Sequence, residues 1–146
     1  MRLELVEIRT WRARSLAIVA VGIAIAPPLT ASSLSAPLTG QIATVTDGDT
    51  VRLTSGERIR IAGIDAPESQ VGQAKCALEL TRGRMASERA RALLTGRTIN
   101  FVRTGKSYRR TVARVSIDGR DLGEWLTELE IARPWPRHSP KPDWCR

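Results

Sequence analysis

Short runs of strand period, separated by turn residues and interrupted once by a long amphipathic stretch, hold this chain to a small α+β architecture that is mainly β. Ile42 to Val45 and Val51 to Leu53 flank Asp47-Gly48-Asp49-Thr50. Asp-Gly readily adopts the positive φ angles of tight turns, so the segment predicts a hairpin. In Glu57-Arg58-Ile59-Arg60-Ile61 polar and apolar residues alternate, and Arg58 to Ile64 predicts a third strand. On it Arg58 and Arg60 share the face opposite Ile59 and Ile61, which by itself reads as a solvated outer face. From Ala74 to Leu94 the positions Ala77, Leu78, Leu80, Met85, Ala90, Leu93 and Leu94, set among arginines and glutamates, predict an amphipathic helix ended by Gly96 after Thr95. Gly83 weakens its centre. Thr98 to Val102 and Thr111 to Ile117 predict two further strands, and Leu122 to Ile131 a second helix capped by Asp121. The expected product is five short strands with a helix inserted after the third and another near the end.

One domain is expected of 146 residues, enough to bury a core without a metal or disulfide staple. Residues 1–36 read as a signal peptide outside that fold. Arg9, Arg12 and Arg14 precede the apolar run Leu16 to Ala26, and small residues follow up to Ala36. The run falls short of the roughly 20 residues that span a bilayer. Cleavage is expected after Ala31, Ser33 or Ala36, giving a secreted or periplasmic protein, with an uncleaved membrane anchor as the other reading. Residues 37–146 then form a single domain with a Pro-rich tail from Pro134 to Pro142. The net charge is +8 for the chain and +6 for residues 37–146, where 19 basic residues face 13 acidic ones. A basic domain suits a polyanion, since attraction speeds encounter and phosphate contacts release counterions. Arginine-rich composition alone also makes proteins basic. Phe101, Tyr108 and four tryptophans are too few for an extended stacking platform.

Five charged residues carry the candidate chemistry: Asp49, Arg60, Asp65, Glu68 and Arg110. Each has a bland local reading, and Asp65-Ala66-Pro67-Glu68 reads as a strand end followed by a turn. They fall at or near the ends of predicted strands, where convergence is feasible. Three carboxylates can hold a hard, oxygen-seeking cation and activate a water. Two guanidinium forks can bind phosphoryl oxygens and offset developing charge. That combination is what metal-assisted phosphodiester cleavage requires.

Gly48-Asp49-Thr50-Val51, the spacing of Arg60, Asp65 and Glu68, and Tyr108-Arg109-Arg110-Thr111-Val112-Ala113-Arg114-Val115 resemble the thermonuclease family, also called staphylococcal-nuclease-like. The likeness runs in order from about Gln41 to about Trp135. It implies a five-stranded OB-fold barrel, a fold whose strand face commonly binds nucleic acid. It further implies a calcium-dependent nuclease acting on DNA and RNA, with Ca²⁺ as its cofactor, which the leader would export. By this resemblance Asp49 and Asp65 would be the calcium-ligating carboxylates, and the backbone carbonyl of Ala66 would stand where the family usually has a threonine carbonyl. Glu68 would be the general base for the attacking water. Arg60 would bind the scissile phosphate, and Arg110 would support the transition state and leaving group. Tyr108 matches a tyrosine that contacts a terminal phosphate, and Lys106 and Arg109 lie beside the expected phosphate path as further substrate-binding candidates. In-line attack on phosphorus would release the 5'-oxygen and leave 3'-phosphate ends. A monomer with no obligate protein partner is expected. The alternatives are a catalytically inactive OB module that binds nucleic acid, and a membrane-tethered envelope scaffold.

The chain departs from the family pattern in places. Lys106 replaces an acidic residue, and Arg109 replaces a glycine. If that position takes positive φ, Arg109 strains the turn by roughly 1–2 kcal/mol. Otherwise Arg109 serves as an added phosphate contact. Glu130 also stands where a glycine is usual, and the family's final helix is largely missing. Cys76 and Cys145 are the only cysteines. In an oxidising compartment the pair predicts one disulfide, which would hold the Pro-rich tail to the body, the other reading being two free thiols. His138 is the only histidine and predicts a solvated loop residue, which sets aside a histidine-based mechanism.

Overall fold

The hairpin around Gly48 begins a barrel. A computed structural model describes residues 36–146. Residues 1–35, which hold nearly all of the predicted signal peptide, lie outside the described residues. Strand β1 (Leu38–Asp47) turns into β2 (Thr50–Leu53), which pairs antiparallel with β3 (Arg58–Ile61). β1 starts well before the alternating run at Ile42, because its first residues have a different partner. Leu38 to Gln41 pair with β5 (Thr98–Ser107), whereas Ile42 to Asp47 pair with β2. Register shifts between Ile42 and Thr44 and between Val45 and Asp47 bend the strand so that it serves both halves of the sheet. β5 pairs antiparallel with β6 (Arg110–Ile117), and β6 runs parallel to β3. That last pairing closes five strands into the OB-fold-like barrel that was expected.

Period two fills the interior. Ile42, Val45, Val51, Leu53, Ile59, Ile61, Ile99, Phe101, Ala113, Val115 and Ile117 are all buried. Helix α1 (Ala77–Leu94) adds Ala86, Ala90 and Leu94 to this core. It starts three residues later than the apolar spacing suggests. Cys76 is extended and its sulfur accepts from the Glu79 N–H at 3.3 Å, while the Glu79 carboxylate reaches back to the Lys75 N–H at 2.6 Å. The two bonds resemble a capping box, except that Glu79 reaches the N–H of the residue before the N-cap.

The third predicted strand is shorter than Arg58 to Ile64. It ends at Ile61, a turn intervenes, and β4 (Ile64–Asp65) leaves the barrel. The short β7 (Arg120–Asp121) leads into helix α2 (Leu122–Glu128), where the Asp121 carboxylate accepts from the Glu124 N–H at 3.0 Å, as the expected cap. α2 stops at Glu128 and not Ile131, because a Schellman motif closes it. Ile131 N–H donates to the Leu126 carbonyl and Glu130 N–H to that of Thr127, with Glu130 left-handed at φ 56°. Beyond it β8 (Arg133–Pro134) pairs antiparallel with β4, setting Arg133 opposite Asp65. The tail is then tied down by the predicted disulfide, Cys76 to Cys145, across 69 residues. His138 is exposed, as expected. Among the described residues no helix is long and apolar enough to cross a membrane.

Candidate active site

Asp49 sits in the β1–β2 turn, buried at 3% exposure. The glycine before it does not have the positive φ that Asp-Gly suggested. Space is the reason for Gly48: a Cβ there would lie 2.8 Å from the Ala66 Cβ and 3.2 Å from Ile131. The missing side chain lets the turn press against the end of β4, where Asp65 is also buried. Arg60 joins the two. Its Nη1 donates to Asp49 Oδ2 at 2.8 Å, and its Nη2 to Asp65 Oδ1 at 3.2 Å and to the Ile64 carbonyl at 3.5 Å. A guanidinium has five N–H donors, so these bonds leave two uncommitted. Asp49 also accepts from the Ala66 N–H at 3.0 Å and the Thr50 hydroxyl at 2.8 Å. Burial pushes the Asp49 carboxyl above its ordinary range, with Arg60 opposing the shift.

Glu68 lies on the loop after β4, and two contacts hold that loop in place. The Ser69 hydroxyl donates to Asp47 at 2.8 Å, tying the loop to the end of β1. Helix α1 crosses beneath it at Gly83, where a Cβ would meet the Glu68 carbonyl oxygen at 2.2 Å and that of Pro67 at 2.8 Å. The glycine read from sequence as a weak point is where helix and loop backbones touch.

Asp49, Arg60, Ala66, Glu68, Tyr108, Arg109 and Arg110 all line one cleft of about 790 Å³, within the range of ligand sites. Asp65 is not among the lining residues; it is buried and bonded to Arg60, which is. Arg110 opens β6, and Tyr108 and Arg109 form the two-residue turn before it, with Ser107 paired to Arg110. Arg109 does not have positive φ, so the strain expected there is absent. The left-handed residue is Tyr108, at φ 54°, and it is almost fully exposed. Lys106 lies apart from this cleft, lining a groove with Glu57, Arg103 and Thr111.

Sequence reasoning passed over several residues of the cleft. Arg58 falls on the solvated face read for that strand, and it is half-buried in the cleft wall, its Nε lacking any hydrogen-bond partner. Trp135 also lines the cleft, its ring centroid 5.6 Å from the Arg60 guanidinium. Lys141 reaches in from the tail, Nζ 3.1 Å from Glu68 Oε1 and 3.5 Å from Asp65 Oδ1. Burial lowers its pKa, but Asp65 and Glu68 together outweigh this, and the ammonium ends above the ordinary lysine value. The Trp144 indole N–H donates to the other Asp65 oxygen at 3.0 Å. The strand alternation of Arg58 was the one available signal. Nothing local marks the tail residues.

The donor set is right in kind for calcium, since carboxylates and a carbonyl are hard oxygen ligands. Its oxygens are engaged by Arg60, Lys141, Trp144 and backbone, and among the described residues no three acidic, histidine or cysteine side chains are grouped to hold an ion. No protein-family model and no curated protein matches this sequence.

Proposed function

We propose that this protein is a phosphodiesterase of the thermonuclease type, hydrolysing DNA and RNA with calcium. The observation that carries this reading is the convergence of two buried carboxylates on one arginine, in a basic cleft that also holds Glu68 and Arg110. Asp49, Asp65 and the Ala66 carbonyl would hold the ion, which supplies positive charge against the phosphoryl oxygens when bound. Arg60 turns its two free donors to the scissile phosphate. Glu68 takes the proton of the attacking water. Arg110 offsets charge on the departing oxygen, and Tyr108 and Arg109, with Lys106 farther along β5, hold neighbouring phosphates. The predicted leader would send the protein outside the cell, where the disulfide is stable.

The test is cleavage of a fluorogenic oligonucleotide across a calcium titration, with chelator and magnesium arms. Activity is expected with calcium, to vanish with chelator, and to be poor with magnesium, which demands tighter octahedral geometry. Glu68→Gln should lower turnover at least 10²-fold, the scale of a general base, while oligonucleotide binding persists. Full activity in excess chelator would reject the metal role. The engagement of Glu68 by Lys141 favours a second reading, an inactive polyanion-binding barrel. Binding without cleavage under every cation would select it.

A further inference from the structure

Lys141 brings to this cleft a positive charge fixed in the chain itself. Its ammonium sits on Glu68 and on the Asp65 oxygen that Arg60 also uses. The segment bearing it is held on both sides. Upstream, β8 pairs with β4 beside Asp65, and the Trp135 N–H donates to the Gly63 carbonyl at 2.7 Å. Downstream, Trp144 is buried on Asp65 and against Arg133, and Cys145 is bridged to Cys76 at the head of α1. A group tethered at both ends stays at high effective concentration beside its target, on the order of millimolar or above. An ammonium and a divalent cation seek the same carboxylate lone pairs, and at contact distance they repel one another.

We propose that Lys141 is an intramolecular cation that, held in place by Glu68, competes with calcium for Asp65, so that calcium binds only as the ammonium leaves. The inference rests on the reading of Asp49 and Asp65 as calcium ligands. It gives the tail a role beyond bracing the barrel: it keeps the buried carboxylates paired while no metal is bound, and sets the calcium concentration at which the site fills. Only the side chain has to move, because β8, Trp144 and Cys145 anchor the backbone around it.

The experiment is calorimetric titration of calcium chloride into the full chain, disulfide intact, at fixed ionic strength. Lys141→Met, which keeps the unbranched stem, and Lys141→Gln are compared with wild type. Arg114→Met, on an exposed β6 position outside the cleft, controls for the loss of one positive charge. Both Lys141 variants are expected to bind calcium at least tenfold more tightly, and Arg114→Met within twofold of wild type. Circular dichroism and melting without calcium verify that each variant is folded. A change below twofold in both Lys141 variants, or equal tightening by Arg114→Met, overturns the proposal. Tightening without oligonucleotide cleavage by any of the proteins sustains the proposal and rejects the nuclease reading. Calcium-dependent cleavage by wild type with unchanged affinity in the variants does the reverse. Failure of every protein to bind calcium rejects both.

Discussion

Gly83 shows how one missing methyl group links the core to the chemistry. Helix propensity alone says that alanine in mid-helix gains about 1 kcal/mol over glycine. Here the added Cβ would stand 2.2 Å from the Glu68 carbonyl, a backbone atom on a loop fixed by Ser69 and Pro67. Overpacking of this kind costs about 1–3 kcal/mol, so steric cost exceeds propensity and the sign reverses. Gly83→Ala is therefore expected to lower the melting temperature by several degrees and to reduce turnover through displacement of Glu68. Thermal melts and kcat measured together check this, and a melting temperature at or above wild type would show that the helix moves away without cost. Arg60 invites a different caution. Its removal strands two buried carboxylates, a loss of about 3–5 kcal/mol when one partner of a buried pair goes, so Arg60→Ala would confound stability with catalysis. Glu68, on a partly exposed loop, is the cleaner probe.

Two turns, each with one left-handed residue, separate what local sequence reveals from what it conceals. Glu130 stands where the resemblance expects glycine and has φ 56° in the Schellman motif that ends α2. Glu130→Gly should stabilise the fold by about 1 kcal/mol, the cost of a left-handed conformation to a residue with a Cβ less the added freedom of the unfolded chain. Denaturant midpoints at unchanged m-value measure it. The β5–β6 turn looked equivalent, with Arg109 where the resemblance expects glycine, but its positive φ belongs to Tyr108. Positive φ is at the first of the two turn residues and not at the second. Arg109→Gly thus relieves nothing. The expected outcome is no gain in stability, with weaker substrate binding and a salt dependence flatter by about one phosphate contact. A rise in kcat with unchanged salt slope would restore the strain account. The substitution was legible from sequence, but the position of the left-handed residue was not, because it depends on hairpin register set by the whole ladder.

The same boundary holds for the molecule. Asp49, Arg60, Asp65 and Glu68 were legible because they lie within 20 residues on adjoining strand ends, where chain geometry alone makes them neighbours. Five strands and two helices followed from periodicity, with errors at their ends, where pairing partners and caps decide. Lys141 and Trp144 were not legible: they reach Asp65 from more than 70 residues away, through a tail whose composition suggests only loop. The two cysteines were the sole hint of that return. Their bridge closes a 69-residue separation, and loop-closure entropy for that length corresponds to about 4 kcal/mol. The sulfur of Cys76 also caps α1, so replacing it with a non-capping residue would mix two effects. Serine, a strong cap residue, retains the acceptor. The Cys76→Ser/Cys145→Ser protein should therefore lose about 4 kcal/mol in denaturant unfolding while α1 remains intact by circular dichroism. Amide exchange in residues 139–146 should accelerate before the barrel strands open, since Trp144, Lys141 and β8 would be left to hold the tail without covalent help. A loss below about 1 kcal/mol with exchange unchanged would mean that those contacts alone retain the tail, and that the bridge adds little to its hold on the site.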